Sequence, residues 1–299
     1  IIIREGSAAK NLTNLISLLH DFPDKTMFCT DDCHADELLE GHIDKMVKRA
    51  IEYKIPFENI IKAACINPVL HYKLPVGLLQ KGDYADFIVI DSPKNCNVLE
   101  TWINGKQVFS KENGCVREIT IPPYKNNFQR QPVLSDEIKI YLPENASHIV
   151  CIVARDKSLI TESATEKPLL TREREIIADS SRDLLKLINI SRYTNDKPQI
   201  ALIKGFNLKE GAIASSVAHD SHNILAVGTN DHDLIVAINM VIASKGGLAA
   251  VNGKETLFLP LPYAGLMSDL PATEVASLYN KLNQTVKSWG CDFSAPFMT

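Results

Sequence analysis

The sequence predicts an α/β protein in three parts: a β/α unit over residues 1–75, a small β module with a linker over 76–135, and an α+β domain over 136–299. Three observations predict it. The first 72 residues run strand, helix, strand, helix, the unit from which parallel sheets and barrels are assembled. After Gly77 short alternating runs flank Asn104-Gly105, a strong hairpin signal. Beyond residue 136 apolar strand-like runs outnumber helical ones.

Taken in order, Ile1 to Ile3 reads as a strand and Glu5-Gly6-Ser7 as a turn. Ala8 to His20 suits a helix, with Leu12, Leu15, Ile16 and Leu19 on one face. Thr26 to Cys29 reads as a buried strand. Asp36 to Tyr53 reads as a helix with the stripe Leu39, Ile43, Met46, Val47, Ala50 and Ile51, and Phe57 to Tyr72 as another. Phe87 to Ile90, Val98 to Ile103 and Gln107 to Phe109 are the strands of the β module, and the proline-bearing polar run 110–135 reads as a linker. In the last part the expected strands are Ile138 to Ile140, Ile149 to Val153, Ala201 to Ile203, Ile213 to Ala218 and Ile224 to Gly228. A helix over Asp231–Ser244, a hairpin around Asn252-Gly253 and a helix over Thr273–Ser288 complete it.

Composition narrows the function. With 45% hydrophobic and 23% charged residues, 299 residues bury a sizeable core. A net charge of -4 and a pI of about 6.1 leave no electrostatic footprint for nucleic acid or an anionic membrane, and no apolar run reaches membrane-span length. The seven cysteines (29, 33, 65, 96, 115, 151 and 291) are scattered and odd in number, which suits reduced thiols in a cytoplasmic protein. The chain opens mid-strand without an initiator Met, so it reads as part of a longer polypeptide.

Chemistry concentrates in three places. Asp31-Asp32-Cys33-His34 stands where a strand hands over to a helix, the edge of an α/β sheet at which ligand and catalytic groups gather. An aspartate there can ligate a metal with one oxygen and accept the proton of the metal's water with the other. The competing reading is helix capping by Asp32 or Asp36. His219-Asp220-Ser221-His222-Asn223 puts dense polarity between two strands. It reads either as an Asx-rich turn or as a loop closing over a substrate, the two histidines falling on opposite strand faces unless a turn brings them together. Arg4-Glu5-Gly6-Ser7 follows the first strand on the same rim as Asp31: Glu5 and Ser7 orient substrate or water, or Glu5 forms an ion pair at a helix start. His42 reads as structural.

At these residues the chain resembles the adenine deaminases of the amidohydrolase superfamily. The resemblance rests on Arg4-Glu5-Gly6-Ser7-Ala8-Ala9-Lys10, Cys29-Thr30-Asp31-Asp32, Glu40-Gly41-His42-Ile43-Asp44, Gly82-Asp83-Tyr84-Ala85-Asp86-Phe87, His219-Asp220-Ser221-His222-Asn223 and Leu259 to Ser268, in family order along nearly the whole chain. It implies the last two strands of a (β/α)8 barrel, a β-sandwich and a family-specific C-terminal domain. It also implies hydrolysis of adenine to hypoxanthine and ammonia in purine salvage, with Asp31 as metal ligand and proton shuttle. The implied cofactor is a divalent transition metal, a binuclear manganese or iron centre or else zinc, and the implied assembly is a homo-oligomer. The His-x-His pair and the mid-barrel ligands are not in these 299 residues, so activity is expected to require an N-terminal half. Two other readings stand beside this one: a related hydrolase of cyclic amides or amidines, and an inactive fragment or assembly module.

Overall fold

The computed structural model describes residues 1–6, 10–115 and 126–298. They form two compact units, Ile1–Ile121 and Pro122–Thr299, in a mixed α/β architecture. No helix among the described residues is long and apolar enough to cross a membrane.

The first unit opens with β1 (Ile2–Arg4), followed by the short helices α1 (Leu12–Leu15) and α2 (Leu18–Asp21). They lead into β2 (Met27–Cys29), which lies parallel to β1 with Ile3 opposite Phe28 and Arg4 opposite Cys29. Parallel neighbours need a crossover, and the α1–α2 segment supplies it. The helices α3 (Ala35–Glu40), α4 (Ile43–Glu52), α5 (Phe57–Ile61) and α6 (Asn67–Tyr72) follow, with a π-helical turn at Lys62–Ile66 joining the last two. Ile3, Leu12, Leu19, Phe28, Met46, Ala50 and Ile60 share one core. The Phe22, Pro23 and Thr26 carbonyls preceding β2 are tied down by side chains: Thr26 Oγ1 donates to Phe22 O, and Asn67 Nδ2 donates to Pro23 O and Thr26 O.

Two differences from the sequence reading have a common cause. The single helix expected over 36–53 is broken at Gly41, whose φ of 143° leaves the helical region. The Asp44 carboxylate then accepts from His42 N at 2.7 Å and restarts the helix as α4. The break turns Leu39 away from the stripe, and it is 51% exposed.

An antiparallel sheet of β3 (Phe87–Ile90), β4 (Val98–Ile103), β5 (Lys106–Ser110) and β6 (Gly114–Cys115) completes this unit. Asn104 and Gly105, with φ of 51° and 71°, make the β4–β5 hairpin turn, and Phe87 stacks on Trp102 across the ladder.

The second unit is an eight-stranded sheet between two helices. Its strands are β7 (Ile149–Val153), β8 (Glu162–Glu166), β11 (Leu185–Ile190), β12 (Gln199–Lys204), β13 (Ala212–Ser215), β14 (Ile224–Gly228), β15 (Gly247–Asn252) and β16 (Glu255–Pro260). Two further strands, β9 (Leu169–Leu170) and β10 (Ile176–Ile177), pair with each other. The order across the large sheet is β16-β15-β13-β14-β11-β12-β7-β8. The helix α7 (Asp231–Ala243) packs on one face with Leu234, Ala237, Ile238 and Val241, and α8 (Ala272–Ser288) on the other with Tyr279, Leu282 and Val286. Because both faces are covered, β15 reads as a continuous apolar run: Leu248 and Ala250 face the α8 core while Ala249 and Val251 face the α7 core.

The segment expected to be a linker is structured at both ends. Lys106–Ser110 and Gly114–Cys115 belong to the first unit's sheet, while residues 126–135 are fastened to the second unit. Phe128, Val133 and Ile138 are buried in the α7 core, Asn126 Nδ2 donates to Lys245 O and Pro262 O, and Asn239 bonds both the N–H and the carbonyl of Val133. The strand expected at Ile138–Ile140 is instead a 3-10 turn, Ser135–Ile138, closed by Glu137 accepting from Leu134 N. β11, a central strand, is missing from the sequence reading because Lys186 and Asn189 interrupt its apolar pattern.

Candidate functional site

The rim beyond β1 and β2 is built first by the backbone. The parallel register brings Arg4 and Cys29 level at the strand ends, so Glu5 and Thr30-Asp31 leave the sheet side by side. Glu5 N donates to Cys29 O at 3.0 Å and holds the two exits together. Asp31 then adopts a left-handed conformation, φ 59°, uncommon for a residue with a side chain. Its N–H points to Cys29 Sγ at 3.2 Å, and its Oδ1 accepts from Asp32 N at 3.0 Å. The other carboxylate oxygen, Oδ2, accepts from Arg4 Nη1 at 2.7 Å. Thr30, buried beside it, has its hydroxyl 2.8 Å from His42 Nε2. His42 is thereby a support for the turn, in keeping with its structural reading.

Neither Asp32 nor Asp36 caps α3. The capping position is His34, and its side chain makes no cap bond. Asp36 and Glu37 lie in the first turn, where their charge complements the helix dipole. Burial pushes the His34 imidazole below its ordinary value of 6.5, opposed by Glu37, Asp36 and Asp32. Burial also pushes the Cys33 thiol up, with Glu37 adding to it. Cys33 is therefore held as a thiol, the wrong state for a nucleophile.

Glu5 lies on the same rim with both oxygens engaged. Oε1 accepts from Leu12 N at 3.1 Å at the start of α1, and Oε2 is ion-paired with Arg49 of α4. Ser7 lies outside the described residues. The rim thus joins Arg4, Asp31 and Glu5; the sequence reading set Arg4 on this rim but gave it no partner, and it missed Arg49. The Arg4–Asp31 pair could have been found from the parallel register; Arg49, 44 residues downstream of Glu5, carries no local signal.

The second cluster is the β13–β14 hairpin loop. His222 N donates to Ala218 O at 2.7 Å and makes the turn that strand alternation alone does not supply. His222 adopts φ 53°, and its ring meets that of His219 edge to face, 5.7 Å between centroids. The turn therefore brings the two histidines together, while Asp220 and Ser221 are exposed at its tip.

Among the described residues no group of three or more His, Cys, Asp or Glu side chains could hold an ion. Asp31 is a single carboxylate already paired with Arg4, so the described residues do not by themselves fit a metal centre. What the Asp31 rim does offer is a carboxylate at a strand end, fixed by the Arg4 guanidinium and the Asp32 N–H.

Comparison with known proteins follows the same division. Residues 2–108 match the amidohydrolase family and residues 158–299 the adenine deaminase C-terminal domain. Over its whole length the chain is 45% identical to an adenine deaminase of Methanosarcina acetivorans, of which it covers 55%. It is 42% identical to one of Parabacteroides distasonis (96% of this chain, 52% of that protein) and 41% identical to one of Borreliella burgdorferi (100% and 55%). The chain spans about half the length of the curated relatives it matches. The family match points to a divalent metal in the complete proteins. The chain is thus similar over residues 2–108 to the amidohydrolase family and over its last 142 residues to the adenine deaminase C-terminal domain.

Proposed function

We propose that this chain takes part in the hydrolytic deamination of adenine to hypoxanthine and ammonia. The observation that carries the reading is identity of 41–45% to curated adenine deaminases along the whole chain. The position of Asp31 at the end of β2 supports it. Because those relatives are nearly twice as long, the activity is proposed for a protein that also carries the counterpart of their remaining length.

In this reading residues 1–75 contribute the last two strands of a (β/α)8 barrel, residues 76–135 a β-sandwich segment and residues 136–299 the family's C-terminal domain. A divalent transition metal, manganese, iron or zinc, would be held by Asp31 together with donors from the remaining length and would supply an activated water; imidazole and carboxylate donors suit all three. Asp31 accepts the proton of the attacking water and delivers it to the departing amine, so that the carbon–nitrogen bond breaks as ammonia leaves. Glu5 and Ser7 sit on the rim, and His219, Asp220, Ser221 and His222 contact substrate. The protein is proposed to act as a homo-oligomer in the cytoplasm.

The test is ammonia release by the full-length protein from adenine, cytosine, dihydroorotate and hydantoin. Preference for adenine is expected; preference for any of the others would assign the chain to a neighbouring cyclic-amide or amidine hydrolase. Asp31→Asn, which keeps the shape and loses the proton acceptor, is expected to lower kcat by about 10²–10⁴-fold. Near-normal turnover would remove Asp31 from the reaction.

A further inference from the structure

His222 is held in one protonation isomer by its own loop. Its Nδ1 lies 2.6 Å from the carbonyl oxygen of Val217. A carbonyl only accepts, so Nδ1 carries the hydrogen, and the neutral ring has its lone pair on Nε2. The main-chain bond from His222 N to Ala218 O fixes the same ring from behind.

The loop is anchored at its root by buried polar groups. Ser216, fully buried, donates its hydroxyl hydrogen to Gly265 O at 2.5 Å and accepts from Gly247 N at 2.9 Å. Arg192, 5% exposed, donates from Nη1 to Ala264 O and from Nη2 to the Tyr193 hydroxyl. A side chain at Gly265, φ 70°, would run into the Arg192 guanidinium. Three connections at one end of the sheet are thereby clasped: the segment after β11, the β13–β14 loop and the Tyr263–Met267 turn. Burying a guanidinium is expensive unless it is well bonded, and Arg192 Nε has no hydrogen-bond partner among the described residues. An arginine so placed is poorly explained by stability alone. It is explained by the geometry it imposes.

We propose that His222 is a specificity-determining residue whose Nε2 accepts a hydrogen bond from an N–H of a planar nitrogen heterocycle, the exocyclic amine or a ring N–H of adenine, with Ser216 and Arg192 positioning the loop for it. The proposal rests on the adenine reading. It gives the loop a defined chemical role, which is to recognise a donor and to discriminate against bases that present an acceptor or a methyl group there.

The test uses the full-length protein labelled with 15N in histidine, with adenine, 9-methyladenine and 6-dimethylaminopurine as probes. The pyridine-type 15N signal of His222 is expected at Nε2 and moves on saturation with adenine. One of the two methylated bases, the one that has lost the recognised N–H, leaves it unmoved. His222→Asn keeps a donor near Val217 O and loses the Nε2 acceptor. It is expected to raise KM for adenine about 5- to 10-fold, with kcat changed less than about threefold. A His222 signal unmoved by saturating adenine in a protein that releases ammonia from adenine would overturn this inference alone. Absence of ammonia release would overturn the adenine reading and this inference together. The NMR arm uses the unsubstituted protein, so it decides the matter even where His222→Asn fails to fold.

Discussion

At the scale of single residues, burial decides what each charged group does. Lys186 is fully buried on β11, and its ammonium donates to Asp231 Oδ1 at 2.6 Å and to Ile138 O at 3.3 Å. An ammonium without that carboxylate would stand uncompensated in an apolar layer. Lys186→Ala and Asp231→Ala are each expected to destabilise the second unit by about 3 kcal/mol. The double variant Lys186→Ala/Asp231→Ala is expected to lose less than the sum of the two, because no unpaired charge remains. Urea titrations of the four proteins measure this; additive losses would show that the pair is not coupled. Lys186 also explains a failure of the sequence reading. A lysine at the second position of a strand breaks the alternation that announces one, and only the carboxylate at the start of α7, 45 residues downstream, makes the burial tolerable. The strand-to-helix turn at Asp31 was legible for the opposite reason: its signal, two adjacent acids after an apolar run, is local in sequence. The place of Arg4 on the same rim was legible too, but its pairing with Asp31 was not, since the ion pair exists only through the parallel register of β1 on β2.

At the scale of elements, the segment 126–138 behaves as a strap. Its composition, polar with prolines, reads as a linker because the three residues that matter, Phe128, Val133 and Ile138, stand five apart and match neither the helical nor the strand period. A chain beginning at residue 122 is expected to give a cooperative unfolding transition. One beginning at 136 lacks the burial of Phe128 and Val133 and the two Asn239 bonds to Val133, and is expected to be weaker by several kcal/mol, about the cost of deleting two large core side chains. Equal midpoints in urea would show the strap to be ornamental. The strap also carries a pH signature. Glu137 feels burial, which raises its pKa, but the Leu134 N–H and the Arg130 guanidinium outweigh it and hold it below its ordinary 4.5. A carboxylate with a lowered folded pKa contributes stability above the unfolded value, and that contribution disappears as pH falls through the folded value. Glu137→Gln is therefore expected to flatten the loss of stability below about pH 4.5 and to leave its slope between pH 6 and 8 unchanged. Matching slopes below pH 4.5 in both proteins would contradict the assignment.

At the scale of the molecule, the two units differ in how much of their backbone is secured. In the second, eight strands are joined side by side, with helices on both faces, and the inner strands β13, β14 and β15 have neighbours on each side. In the first, β1 and β2 pair only with each other among the described residues, in a parallel sheet of two strands. Parallel sheets are stable where many strands are buried together, and a two-stranded one secures few amides. Local opening should therefore be cheap at β1–β2 and dear at β13–β15, since exchange protection follows the number of buried contacts that must break. In the 299-residue chain, amides of Ile3 and Phe28 are expected to exchange at least about 100-fold faster than those of Ile213 and Ala250, a difference near 3 kcal/mol in opening free energy. Addition of the remaining length found in the relatives is expected to slow Ile3 and Phe28 and to leave Ile213 and Ala250 unchanged. Hydrogen exchange read by mass spectrometry on both forms measures it. Equal protection of the two regions in the 299-residue chain would mean that β1 and β2 are secured by contacts within the first unit alone, and that the Asp31 rim stands complete without further strands.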